Sequence, residues 1–431
     1  MDQDMPVVVS PLRIPQFRWL FGSNMAFFFA MGAQGIVRAW LAFKLTNSEL
    51  ALGMITMSVA IPMFFIAPIG GVISDRFDRR NLIILGQSLV LVNELVITVL
   101  LFMDALKFWH LMTAATIMGC VFPFIMPARA ALVVNIVGKL NLGKAIGINM
   151  AGMNTTRILG PAAAGFFIAA IGVSNTYLIG ISLYAIGIFC MFRVNSFPPD
   201  QNARKLSVYK SIIEGAAYVY QNKLVLVLLL FGLVPMFLAM PFQNLLVVFA
   251  EKIWDVGSKG LGLLSALGGA GGVIGSLWVA SIGNTKHRLG WMMSSMMVFG
   301  VFLLGFAFSP YFLLALPLVF IANIFASIFG TFNNTAIQLV IPDHVRGRIS
   351  SFLMMSFSLP MLGTLPVSAA AEVYGAPLAV GTASILAMLV AGLFFMFSPA
   401  LRQMNQRVEI AMKEEGGRMP AGGPMGMRGR F

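Results

Sequence analysis

Only 10% of this chain is charged, so a carboxylate in the middle of an apolar run is the first place to look for chemistry. Glu94 is that residue, within "LIILGQSLVLVNELVITVLLF". Three cations, Arg38, Arg129 and Arg157, interrupt other apolar runs. Ionisable groups in hydrocarbon are costly, so they pair, bind carbonyls, or face a cavity. Two chemistries suit the set. Glu94 takes up and releases a proton, or it is the fixed partner of a buried Arg. The arginines hold an anionic or polyhydroxylated solute, or they pair internally around a pocket for a hydrophobic one. Counted from Asn81, Glu94 lies about 20 Å along its helix, and Arg157 falls at a similar depth in its own. Uncharged polar residues in like settings, Gln34, Asn244, Asn333 and Asn334, complete the candidate set for coupling or substrate.

The elements that must hold these residues are membrane helices. Hydrophobic residues make up 58% of the 431 and mean hydropathy is +0.87, whereas a soluble protein carries about 25% charged residues. Apolar runs long enough to span a bilayer predict twelve helices, at 17–43, 50–74, 81–103, 108–137, 143–171, 174–193, 223–250, 258–282, 289–309, 311–340, 350–372 and 375–398. An even number places both termini on one side. Of 29 Lys and Arg, 22 fall on that side and 4 on the other, which makes it the cytoplasm by the positive-inside rule. The net charge of +13 is therefore a topology signal, and a nucleic-acid partner is not expected.

Enzyme classes are not indicated. His110, His287 and His344 sit at segment ends, and Cys120 and Cys190 lie in apolar runs, so no metal site, disulfide framework or catalytic cluster is expected. The Gly-rich "KGLGLLSALGGAGGVIG" lacks both phosphate-binding patterns. Its glycines four apart read as close helix packing. No cofactor is expected. The N-terminus has no cleavable leader pattern.

The chain divides into a cytoplasmic arm (1–16), a six-helix bundle (17–193), a cytoplasmic linker with an amphipathic helix (194–222), a second six-helix bundle (223–398) and a disordered cytoplasmic tail (399–431). Pro198 and Pro199 end the sixth helix. The halves share a 12-residue glycine step, Gly160 to Gly172 and Gly363 to Gly375. A duplicated six-helix unit would leave such a repeat, with the substrate site between the halves.

The segment "GGVISDRFDRRN" between predicted helices 2 and 3 resembles the signature of the major facilitator superfamily, closest to its enterobactin-exporter-like and macrolide-efflux-like branch. Gly71, Asp75, Arg76, Arg79 and Arg80 match it, while Asp78 stands where Gly is usual. "MPARAAL", "NTTRILGPAAAG" and "IPDHVRGRISSF" also look like that branch. The resemblance implies an all-α membrane fold of two pseudo-symmetric six-helix bundles, with helices 1, 4, 7 and 10 around a central cavity. It implies a latch in which Asp75 meets the start of helix 11 near Arg348–Ser351. Gly147, Gly160, Pro161 and Gly165 match the helix-5 motif of exporters. The Arg that drug/proton exporters carry in helix 4 is replaced by Thr116. The expectation is a secondary transporter in a bacterial inner membrane, acting as a monomer. It exports a small molecule, such as a siderophore or drug-like compound, by alternating access with protons as coupling ion. The alternatives are an importer of a small metabolite, or a membrane sensor or scaffold.

Overall fold

The computed structural model describes residues 10–198, 208–282, 285, 287–340, 359–406 and 408. The first half contains α1 (Pro15–Thr46), α2 (Glu49–Arg76), α3 (Arg79–Phe102), α4 (Phe108–Gly138), α5 (139–171) and α6 (Val173–Phe192). A separate helix, Val208–Gln221, precedes the second half. There α7 runs Lys223–Leu238, resumes at Phe242–Val248 and ends in a π-helical turn, Phe249–Ile253. It is followed by α8 (Gly257–Ile282), α9 (Arg288–Ala307) and α10 (Phe312–Val340). Of α11, Leu359–Leu362 and Thr364–Tyr374 are described, and α12 is Ala376–Phe397. Among the described residues, nine helices are each long and apolar enough to cross a membrane. The protein is an all-α membrane fold of two six-helix bundles.

Short polar stops set the boundaries. Asn47 turns the chain with φ 51°, and Ser48 caps α2 by accepting from the Ala51 amide. Asp78 caps α3 through the Asn81 amide at 2.9 Å, which explains a carboxylate where the superfamily signature has Gly. The gap expected between helices 4 and 5 is absent. The chain stays helical from Phe108 to Ile171, broken only where Gly138 takes φ 68°.

The glycine repeat is structural. Gly172 (φ 82°) and Gly375 (φ 88°) occupy a backbone region that side chains disfavour, each at the start of its half's last helix. Their partners are equivalent too. A Cβ on Gly160 would lie 2.8 Å from the Phe29 carbonyl of α1, and one on Gly363 would lie 2.0 Å from the Phe237 carbonyl of α7. Each is a helix-5-type glycine pressed on the first helix of its own bundle.

Packing differs at the two ends. Near the N-terminus, Phe17, Leu20, Ile83, Leu132 and Met191 form a core within the first bundle. A second core runs through the second bundle to Leu401 and Met404, and at the opposite end it takes in the first bundle, joining Trp40, Leu41 and Phe43 of α1 to Phe242, Leu245 and Phe249 of α7. Two helix pairs close that end, both at glycines. Gly53 of α2 faces Ser368 and Leu365 of α11, and Gly165 of α5 faces Gly262 of α8.

Candidate functional site

Glu94 is buried on α3 and forms an ion pair with the buried Arg38 of α1. One turn back, Gln34 donates to the Tyr177 carbonyl of α6 at 3.5 Å. Tyr177 and Tyr184 of α6 are buried as well. Among the described residues, Glu94 Oε2 and Arg38 Nε have no hydrogen-bond partner. Arg157, expected at this depth, is instead exposed. Depth along a helix leaves direction around it open. Gly152 and Gly160 of α5 face α1, and Ile158 and Gly165 face α8. Arg157 projects off both stripes.

A cavity of about 310 Å³ lies beside the pair, between the bundles. Its polar lining is Arg38 of α1, Thr56 of α2, Gln243 and Asn244 of α7, and Thr364 of α11; the rest is mainly apolar, including Leu52, Ile55 and Met361. Glu94 is not in the lining, so Arg38 separates it from the cavity. Among the described residues the lining comes from α1, α2, α7 and α11, where the resemblance implied α1, α4, α7 and α10. The cavity sits just below the sealed end, where Gly53 of α2 meets α11.

The seventh helix breaks at this cavity. Pro235 and Pro241 flank the interruption, and Met240 and Pro241 line the space. Non-helical backbone at membrane depth is tolerated where it is buried in protein or lines a cavity. The break turns Gln243 and Asn244 to different partners. Asn244 donates to the Thr364 hydroxyl and Gln243 to the Asn323 side chain, each at 3.5 Å.

A second polar cluster lies toward the other end. Buried Arg129 of α4 donates to Asn24 of α1, which donates to Asn149 of α5 at 3.1 Å. The guanidinium also lies over the Phe27 and Phe28 rings, 4.7 and 5.5 Å away, an arrangement that favours a cation. Asn24 and Arg38 are 14 residues apart on α1, about 21 Å. The two clusters are therefore distinct sites. In the second bundle, Asn333 of α10 is buried against Gly232 of α7, and Asn334 is exposed.

Of the signature between α2 and α3, Arg80 donates to the Phe192 carbonyl at 2.9 Å and the Met191 carbonyl at 3.3 Å. Arg79 reaches Asn135 of α4, and Arg76 is exposed. The basic turn thus ties α3 to the ends of α4 and α6. Gly71 and Asp75 lie in the last turns of α2. The side chain of Asp75 and residues 348–351, which the latch would pair, lie outside the described residues. In the helix-5 motif, Gly160 and Gly165 make close contacts, a Cβ on Gly147 would meet nothing within 4 Å, and Pro161 touches Gly32 of α1.

Sequence reasoning missed the polar links across the sealed end. Lys44 pairs with Glu251, and Lys252 pairs with Glu49 at 2.9 Å. Glu372 accepts from the Ser48 hydroxyl at 2.8 Å and the Leu50 amide at 3.0 Å. Each joins the first bundle to the second. The available signal was the acidic residues at predicted span ends opposite the four lysines counted only for topology.

The family described as "Transmembrane secretion effector" matches residues 7–417. The staphyloferrin A transporter of Staphylococcus aureus is 23% identical over 363 residues, covering 83% of this chain and 90% of that protein. The multidrug efflux pump Tap of Mycolicibacterium fortuitum is 24% identical, covering 85% and 91%. The macrolide efflux protein A of Streptococcus pyogenes is 25% identical, covering 59% and 64%. Among solved structures, a mutant of the nucleoside transporter NupG superposes with a TM-score of 0.71 at 13% identity, covering 89% of this chain and all of that one. An inward-facing, unoccupied bacterial homologue of the lysosomal transporter Spinster gives 0.67 at 13% identity, covering 94% and 99%. With an all-α fold of two bundles, a cavity between them and this match along nearly its whole length, the chain belongs to the transmembrane secretion effector family of major facilitator transporters and is a multi-pass membrane transporter, not an enzyme.

Proposed function

We propose that this transporter exports a small molecule, a siderophore or a drug-like compound, from the cytoplasm across a bacterial plasma membrane by alternating access. The observation that carries this reading is the cavity between the bundles, with polar groups from both halves and a seal at the end away from the termini. With the termini in the cytoplasm, as the charge bias argues, that seal faces outside and the state is inward-facing. Export is supported by the helix-5 motif and by relatives described as an efflux pump and an efflux protein. Protons are the proposed coupling ion, with Glu94 the carboxylate that would respond to them. The latch at Asp75 is proposed for the opposite, outward-facing state. The chain is proposed to work as a monomer.

The test is a deletion strain and its complemented parent, grown across a panel of toxins and siderophores with extracellular siderophore measured. Loss of resistance or secretion in the deletion, restored by the gene, is expected. Improved growth of the deletion on a toxic solute, with reduced uptake of it, would instead mean import.

A further inference from the structure

We propose that the transported molecule carries a carboxylate on an apolar body, that Arg38 binds this acidic group, and that Glu94 occupies Arg38 as an internal competitor. The inference rests on the reading of the cavity as the substrate site and names the chemistry that site selects. Arg38 is the single charged side chain in the lining among the described residues. It is buried, 8% exposed, and a carboxylate from behind the cavity wall already engages it. The site is therefore built to carboxylate geometry before any solute arrives. Its use is incomplete, because the Arg38 Nε donor has no partner among the described residues, and a guanidinium offers five donors in a fixed fork. Across the cavity Gln243, Asn244 and Thr364 supply neutral polar groups from the second bundle. The remaining wall, formed by Leu52, Ile55, Val59, Met240 and Met361, suits an apolar body. A volume of about 310 Å³ is at the small end of ligand pockets. One molecule held this way touches both bundles.

An internal competitor has a consequence that a structural ion pair does not. Removing Glu94 should strengthen binding of an external acid, since the guanidinium loses its resident counter-charge. The experiment titrates full-length purified protein with 1-naphthoate and with neutral, nearly isosteric 1-naphthamide, by calorimetry. Wild type should prefer the acid. Glu94→Gln should bind 1-naphthoate about tenfold more tightly, the scale of one nearby charge, with naphthamide unchanged. Because Arg38→Gln alone leaves Glu94 unpaired and risks misfolding, the variant used is Arg38→Gln with Glu94→Gln. It should retain naphthamide binding and lose the acid preference by tenfold or more. Equal binding of acid and amide in wild type and Glu94→Gln overturns the proposal and leaves the cavity as a neutral-solute site. Weaker naphthoate binding in Glu94→Gln, or no binding of either probe, overturns it as well. A strain panel without any efflux phenotype, alongside an intact acid preference, would remove the export reading and not this one.

Discussion

At the residue scale, the Arg38–Glu94 pair lets opposing expectations be separated. A buried pair contributes little net stability compared with well-packed apolar residues, yet breaking it by removing one member costs about 3–5 kcal/mol. Arg38→Met alone should therefore lower the thermal stability of the detergent-purified protein sharply. Adding Glu94→Met should restore most of it, which a thermal melt of both variants would check. Function gives a second readout. Glu94→Gln is expected to weaken transport in part. If the carboxylate couples protons, the variant also loses its dependence on a pH gradient while still exchanging substrate. Normal transport with an unchanged pH profile would leave the pair a purely structural role. Arg129 differs because its partners are a neutral amide and two aromatic faces.

At the element scale, glycine placement governs how closely helices approach. In α8, a Cβ on Gly271 would come within 2.3 Å of the Phe320 carbonyl, and one on Gly275 within 2.2 Å of the Ile324 carbonyl, both on α10. Those are backbone atoms and cannot swing aside. Gly272, in the same Gly-rich run, would meet nothing within 4 Å. Gly271→Ala and Gly275→Ala should each destabilise by about 1–3 kcal/mol through overpacking. Gly272→Ala should be neutral or slightly stabilising. Melting temperature and monodisperse yield of the three variants make the comparison. Equal behaviour of all three would show that α8 and α10 do not pack at these glycines.

At the scale of the whole molecule, the two bundles are joined at the end away from the termini by weak polar links over a shared apolar core. An exposed ion pair is worth about 0.2–1 kcal/mol. The Lys44–Glu251 and Lys252–Glu49 pairs, whose lysines are exposed, and the exposed Ser48–Glu372 hydrogen bond, worth about 1 kcal/mol, are thus strong enough to bias a conformational equilibrium and weak enough to break in each cycle. Replacing Glu251, Lys252 and Glu372 with Gln should shift the population toward opening at that end. In a background with Cys120 and Cys190 replaced, Ser368→Cys lies buried where α2 meets α11. Its maleimide labelling from outside cells should speed up several-fold in the triple variant. An unchanged rate would mean that the apolar core alone holds the seal. For topology, Lys205 replaced by Cys should stay unlabelled by an impermeant reagent in intact cells.

The sequence alone determined the helices. Expected and observed spans such as 108–137 and Phe108–Gly138 agree because hydrocarbon forces backbone groups to bond within the segment and leaves length and polarity as the remaining variables. It also carried the duplication, since Gly172 and Gly375 serve a backbone need that side chains disfavour. Tertiary structure decided the partners. Depth arithmetic set Arg157 level with Glu94, and packing chose Arg38 as its partner, because the direction a side chain points depends on which neighbouring helices press on which face. The break in α7 was half legible, in Pro235 and Pro241; that it opens onto a cavity was not. The links among Lys44, Glu49, Glu251, Lys252 and Glu372 were invisible as pairs. They join segments 200 or more residues apart, and only the docking of one bundle on the other brings those charges within reach.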